Sequence, residues 1–141
     1  MLFLRPKTGY AVLGFFILWV CIDAVFRFHL SSEHFVCNAG VAFGLTLPTD
    51  VIWLSTSIFL AVAMYAIGSE TYVGDRLAWI AVFLGGTVNA LDRMVHGCVK
   101  DYISLPFFPS FNLADMMLFL GVVFLLGTIL GMIPKVKLYV G

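Results

Sequence analysis

Charge is what this sequence has least of. Only 11% of its 141 residues are charged, against about 25% in an ordinary soluble domain. With 62% hydrophobic residues, it has too little polar surface to clothe a water-soluble fold. Its net charge is zero, so nothing argues for nucleic acid or another polyanion as a partner. There are three cysteines, no CxxC, and no cysteine–histidine spacing that suits zinc. A site built from His29, His34 and His96 would have irregular spacing, so no metal is expected. The glycine-rich phosphate loop, G-x-S-x-G and H-E-x-x-H are all missing, which removes the signatures of nucleotide-binding proteins, serine hydrolases and zinc peptidases. Internal repeats and low-complexity tracts are missing too.

What is present is apolar and comes in four blocks: Tyr10 to Phe28, Val51 to Gly68, Leu77 to Leu91 and Met116 to Ile133. A bilayer core about 30 Å thick takes roughly 17 to 25 residues of helix. Three blocks fit, and the third reaches that length by extending back through Tyr72 and Val73. The expectation is an all-α membrane protein forming a single domain over residues 1–141, with four transmembrane helices at about 10–28, 51–68, 73–92 and 114–133. Arg5 and Lys7 before the first block resemble a signal peptide's start, but bulky Val20 before Cys21 and the lack of an A-x-A-like site favour an uncleaved first helix.

Lysine and arginine in short loops favour the cytoplasm. Four spans put Arg5, Lys7, Arg76, Lys135 and Lys137 on one side, and Arg27, Arg93 and Lys100 on the other. Both termini are therefore expected in the cytoplasm. Six of the eight acids (Asp23, Glu33, Asp50, Asp92, Asp101 and Asp115) then gather at the outer surface, with all three histidines. Carboxylates at the lip of a membrane are costly and usually serve a function.

Two outer segments hold these residues. In His29 to Asp50, the stretch "FVCNAGVAFGL" predicts a short strand or hairpin, and Thr49 or Asp50 suits the N-cap of helix two. In Asp92 to Asn112, Pro106 and Pro109 rule out a continuous helix, and Tyr102, Phe107, Phe108 and Phe111 suit a membrane interface. The short loop "SETYVGDR" makes helices two and three antiparallel neighbours.

Asp101 and Asp115 flank a proline-bent loop of thirteen residues. Two close carboxylates share one proton, the arrangement with which aspartic proteases activate water. The same residues also read as a solvated loop acid and a helix cap. Asn89, Asp92 and Arg93 lie at helical spacing, with Arg93 placed to pair with Asp92 or another outer acid, or to snorkel to head groups. Asn112 sits three residues before Asp115, as an N-cap would. Asn38 and Gly40 read as a bound peptide's backbone partner or as a plain turn. Asp23 and Arg27, four apart, read as a structural ion pair. Cys37 and Cys98 both fall on the oxidising side, and spacing leaves their pairing open.

Taken in order, these residues resemble the prolipoprotein signal peptidases (signal peptidase II) of bacteria. The resemblance runs through Asp23 with Arg27, Asn38-Ala39-Gly40-Val41-Ala42-Phe43, Asn89-Ala90-Leu91-Asp92-Arg93, Asp101, and Phe111-Asn112-Leu113-Ala114-Asp115, along nearly the whole chain. It implies a four-helix aspartyl endopeptidase of the bacterial inner membrane with a small extracytoplasmic β-like cradle. Its substrates would be diacylglyceryl-modified prolipoproteins, cut just before the lipid-bearing lipobox cysteine. Asp101 and Asp115 become the catalytic dyad, working without metal or organic cofactor. Asn38, Gly40, Asn89, Asp92, Arg93, Asn112 and Ala114 become substrate-binding or supporting residues. Arg27 stands where the family pattern has lysine, Val88 where it has glycine, and the loop between the aspartates is short. Membrane lipid is the surrounding partner, and a monomer suffices for this chemistry. The alternative is a small proton-coupled transporter using the outer carboxylates, which would place acids nearer the membrane midplane.

Overall fold

The computed structural model describes residues 2–4, 6–29, 34–41 and 45–138. Of the positions singled out above, Arg5, Glu33, Ala42 and Phe43 lie outside the described residues, as does the side chain of Lys7. Eight elements follow in chain order: β1 (Leu2–Leu4), α1 (Pro6–His29), β2 (Val36–Asn38), α2 (Thr49–Ser69), α3 (Val73–His96), β3 (Val99–Asp101), α4 (Leu113–Ile129) and β4 (Val136–Leu138).

The four helices carry their apolar side chains outward. Phe15, Ile17, Leu54, Tyr65, Met94 and Ile129 are each more than half exposed, whereas Asp23, Arg27, Asn89, Asp92, Asp101 and Asn112 are buried. Large apolar side chains exposed on all four helices suit a membrane environment. Stretches of 21 residues in α1 (Gly9–His29) and α2 (Thr49–Ser69) are long and apolar enough to cross a bilayer, with mean hydropathies of 2.1 and 1.9. At 17 residues, α4 is apolar but shorter. Buried Asp75, Asn89 and Asp92 interrupt the apolar pattern of α3.

The interior is small. Ala63 of α2, Ala78 and Val82 of α3 and Leu125 of α4 form its centre, flanked by Phe59, Trp79, Phe83, Val122 and Phe124. Small residues there let backbones come close, which is how helices associate where lipid is as apolar as the side chains. A Cβ at Gly85 would lie 2.5 Å from the Ala114 carbonyl oxygen, and one at Gly121 would lie 2.8 Å from that of Ala78. Nothing larger than glycine fits where α4 crosses α3.

Several helix ends differ from expectation. Pro48 occupies the N-cap of α2 and no side chain caps it; Thr49 and Asp50 already lie inside the helix. Helix α4 stops at Ile129 rather than at Ile133. There Gly131, at φ +72°, turns the chain back, so that its N–H donates to the Thr128 carbonyl and that of Met132 to the Gly127 carbonyl. This pair of bonds is a Schellman stop, which outweighs the apolar run beyond it. At the same end β1 and β4 pair in parallel, Leu2 opposite Val136. Lys135 lies 4.0 Å from Asp75 and, with Lys137, over the Tyr72 ring. The expected strand is β2, which pairs antiparallel with β3, Val36 opposite Asp101 and Asn38 opposite Val99. A disulfide joins Cys37 to Cys98 beside that pair.

Candidate active site

Asp101 and Asp115 reach the site from different elements, and local chemistry explains how. Helix α3 ends at Gly97, whose φ of +76° is open to glycine but costly for other residues. The chain turns there and runs into β3, at whose end stands Asp101. The next stretch is zipped into a hairpin. Ile103 and Phe111 exchange both backbone hydrogen bonds at 2.8 and 2.9 Å, and the Ser104 and Ser110 hydroxyls meet at 2.8 Å. At its tip the Phe108 N–H donates to the Leu105 carbonyl across Pro106 and Phe107. Phe107 takes a φ of 64°, the position where a type II turn usually has glycine, and its ring is fully exposed. This closure returns the chain to Asn112, which caps α4: its side chain accepts from the Asp115 N–H at 2.9 Å, while the Asp115 carboxylate accepts from the Asn112 N–H at 3.2 Å. That is a reciprocal capping box.

Two amides wire the carboxylates together. Because the Asn112 side-chain oxygen serves the cap, its Nδ2 faces inward and donates to Asp101 Oδ1 at 2.8 Å and to Asn89 Oδ1 at 3.2 Å. Asn89 Nδ2 then donates to Asp115 Oδ1 at 2.6 Å. Asn38 Nδ2 supplies Asp101 Oδ2 at 2.9 Å. Each oxygen of both carboxylates therefore accepts one hydrogen bond, and further lone pairs remain for a proton or water. Asp101 is 2% exposed. Burial pushes its carboxyl above the ordinary range; the nearby Asp115 charge adds to this, against the bonds from Asn38 and Asn112 and the charge of Arg27.

Behind the amides lies a buried ionic cluster. Arg27 Nε bonds Asp23 at 2.5 Å, one Nη donates to Asp92, and the other donates to Asn89 Oδ1 at 3.2 Å. A lysine at this position would offer one point charge in place of that three-way fork. Asp92 also accepts the Lys100 N–H at 2.6 Å and lies 3.0 Å from His96 Nδ1, so it ties the start of β3 to α3. The Lys100 ammonium reaches the Arg27 carbonyl at 3.4 Å near the end of α1. A groove of about 550 Å³ between α1 and α3 borders this cluster, lined by Ala24, Val88 and Leu91 with Arg27, Asp92 and Lys100, but by neither Asp101 nor Asp115.

The expected residues thus come together, with some roles changed. Arg93 does not pair with Asp92: it donates to the Gly40 carbonyl at 2.7 Å, and its Nε has no partner among the described residues. Arg27, from the neighbouring helix, takes Asp92 instead. Asn38 turns its side chain to Asp101 and, at 3.0 Å, accepts from the Gly40 N–H. Buried Ala114 packs at the Gly85 crossing. Tyr102, expected with Phe107 and Phe108 at the interface, is instead a brace. Its hydroxyl donates to Asp23 at 2.6 Å and accepts from the Leu113 N–H at 3.3 Å, and its ring stacks on Phe26. Burial holds that hydroxyl's pKa well above the usual value, so it stays a donor. Sequence reasoning missed Trp19, whose indole N–H donates to the Leu113 carbonyl at 2.9 Å and ties α1 to the start of α4. It also missed the parts played by Lys100 and His96. A lone indole in an apolar run gives no signal of its partner; the lysine next to Asp101 did offer one.

Comparison with known proteins places the chain in a family. A family model described as signal peptidase (SPase) II matches residues 11–131. A lipoprotein signal peptidase of Moorella thermoacetica is 34% identical over 127 residues, covering 86% of this chain and 73% of that protein. Another, from Caldanaerobacter subterraneus, is 33% identical over 129 residues, covering 87% and 77%. A third, from Nostoc punctiforme, is 35% identical over 97 residues, with 65% of this chain spanning 61% of that protein. A solved bacterial membrane enzyme superposes with a TM-score of 0.75 at 23% identity over 89% of both chains, a likeness of fold alone. With the family model matched over most of its length, this chain belongs to the signal peptidase II family.

Proposed function

We propose that this protein is an aspartyl endopeptidase that removes signal peptides from diacylglyceryl-modified prolipoproteins, cutting before the lipid-bearing cysteine. The observation that carries the reading is the Asn112 side chain. One amide caps the helix bearing Asp115 and donates to Asp101, so the two carboxylates are oriented by the same group. Family membership supplies the substrate class.

In this reading the pair holds one proton. One carboxyl carries it and hydrogen-bonds the scissile carbonyl, while the other, ionised, takes a proton from water. The attack gives a neutral diol, whose collapse returns a proton to the leaving amine as the two roles exchange. Asn38, Asn89 and Asn112 hold the carboxylate planes still. No residue in this scheme needs a metal or cofactor, and one copy of the chain carries the whole arrangement.

We further infer four membrane crossings, with both termini in the cytoplasm of a bacterial inner membrane and the dyad at outer-leaflet depth. In support, Tyr72, Asp75, Lys135 and Lys137 share one end of the bundle, while the disulfide lies at the other, where an oxidising compartment would keep it. The bilayer then positions the substrate's acyl chains and apolar helix. Strands β2 and β3 form the cradle, and exposed Phe107 and Phe108 stand at the tip of the hairpin that joins Asp101 to Asn112.

The test is gel-shift cleavage of a diacylglyceryl-modified precursor by purified protein, with chelator present, beside Asp101→Asn and Asp115→Asn. Cleavage by the wild type and a fall of at least about 10⁴-fold in each variant are expected. Turnover persisting in either variant would remove that aspartate from the chemistry. A folded wild type that cuts nothing would return the transporter reading to the front.

A further inference from the structure

Strands β2 and β3 are three residues each, and an isolated two-stranded ladder is marginal at best. Yet this ladder carries one of the two amide bonds that orient Asp101, the other coming from Asn112. Cys37 sits opposite Lys100 in the register, with Cα atoms of Cys37 and Cys98 5.5 Å apart. The residue after Cys37 is Asn38, donor to Asp101 Oδ2, and Asp101 itself lies three residues beyond Cys98. Two residues further on, the Gly40 carbonyl accepts from Arg93 of α3. A covalent tie thus stands next to the donor and close to the acceptor of one hydrogen bond. In sequence it spans 61 positions that no local turn connects.

We propose that the Cys37–Cys98 disulfide is a positioning device for Asp101, holding Asn38 against its carboxylate so that cleavage depends on the oxidation state of this pair. The inference rests on the dyad reading above. The groups facing Asp101 are Asn38 of β2, Asn112 at the N-cap of α4, Asp115 of α4, Arg27 of α1 and Arg93 of α3. Of these, Asn38 is the one that the disulfide controls. Its donated bond favours the ionised carboxylate, against burial. Releasing it leaves the Asp101 carboxyl higher still, and the pH profile of the dyad moves up. Cys37 is exposed while Cys98 is buried, so a small reductant meets the bond at Cys37. A dithiol supplies two electrons and two protons; it leaves as its cyclic disulfide, and Cys37 and Cys98 become thiols. The third cysteine, Cys21 of α1, is free and takes no part.

The experiment follows kcat/KM against pH for the full chain in detergent, oxidised and after dithiothreitol, with Cys37→Ser/Cys98→Ser, Asn38→Ala and the three changes combined. Reduction, the double serine variant and Asn38→Ala should each move the profile to higher pH by about one unit, the size of one hydrogen bond to a charged group. The combined variant should move no further, since all act through one bond. A lower rate with the profile unmoved would overturn the proposal, because that is what a merely structural bridge does. Carbon-13 titration of Asp101, assigned by Asp101→Asn, reads the same shift without turnover. If the wild type cleaves nothing, an unmoved Asp101 titration on reduction still defeats the positioning role, while the missing cleavage counts against the peptidase reading alone.

Discussion

Two seams run along α3, and they are built from opposite materials. On the α4 side the backbones touch through glycine, at Gly85 against Ala114 and at Gly121 against Ala78. On the α1 side the link is a buried cluster of ions, with Arg27 bonded to Asp23, Asp92 and Asn89. In lipid, apolar side chains gain little by leaving one apolar surface for another. Association must come from close dispersion contact, which small residues allow, or from polar bonds, which lipid cannot replace. The first tolerates a range of partners and sets distance; the second sets direction. Asn89 stands where the seams meet, facing Arg27 on one side and Asp115 on the other. The α4 seam brings Asp115 near, and the α1 seam aims the amide that holds it.

The harshest way to break this contrast is Arg27→Met, which leaves Asp23 and Asp92 as buried anions without their counterion. A loss of about 3–5 kcal/mol is expected from unfolding in detergent. Arg27→Lys should recover only part of it, since one ammonium cannot bond all three partners. If lysine restored stability in full, the fork would not matter.

Next comes Gly85→Ala. Its methyl would meet a backbone oxygen that cannot step aside, for about 1–3 kcal/mol. Because Ala114 adjoins Asp115, cleavage should fall by roughly 10²-fold as the carboxylate shifts. The neighbouring Gly86→Ala is the internal control. Its Cβ would meet side-chain carbons of Leu60 and Phe59 at 3.1 and 3.2 Å, which can yield. Equal effects at the two positions, measured by thermal unfolding and turnover, would refute the close-backbone account.

A smaller effect follows from Asn112→Ala, about 1 kcal/mol for the lost cap. Here turnover should suffer more than stability, because the same amide orients Asp101.

The subtlest test is pH. Asp101 carries a folded pKa above its ordinary 3.8, so the folded state holds its proton more tightly than the unfolded chain does. Its contribution is present below pH 3.8 and is lost as pH rises through the raised value. The stability of Asp101→Asn relative to the wild type should therefore improve as pH rises through that window, seen as converging or crossing unfolding midpoints. A constant difference would mean that Asp101 is not raised.

Contacts within one turn of helix were legible beforehand. Asp23 with Arg27, and Asn112 with Asp115, follow from three- and four-residue spacing, because helical geometry places those side chains together whatever surrounds them. The pairing of Asp92 was misjudged for the same reason: neighbouring Arg93 was the local candidate, whereas Arg27 comes from another helix. The end of α4 was misplaced because a glycine stop overrides apolar composition.

The hydrophobic blocks, the capping of α4 and the ordered motifs of the family could be read from the chain without its fold. These rest on composition and on periodicities that local backbone geometry enforces. Packing in three dimensions was needed to pair β2 with β3, to bond Cys37 to Cys98, to bring Arg27 to Asp92 and to converge Asn38, Asn89 and Asn112 on two carboxylates. Those contacts join segments up to 65 residues apart. Which distant polar groups meet depends on how closely the glycine seams let the helices approach, and no spacing along the chain records that distance.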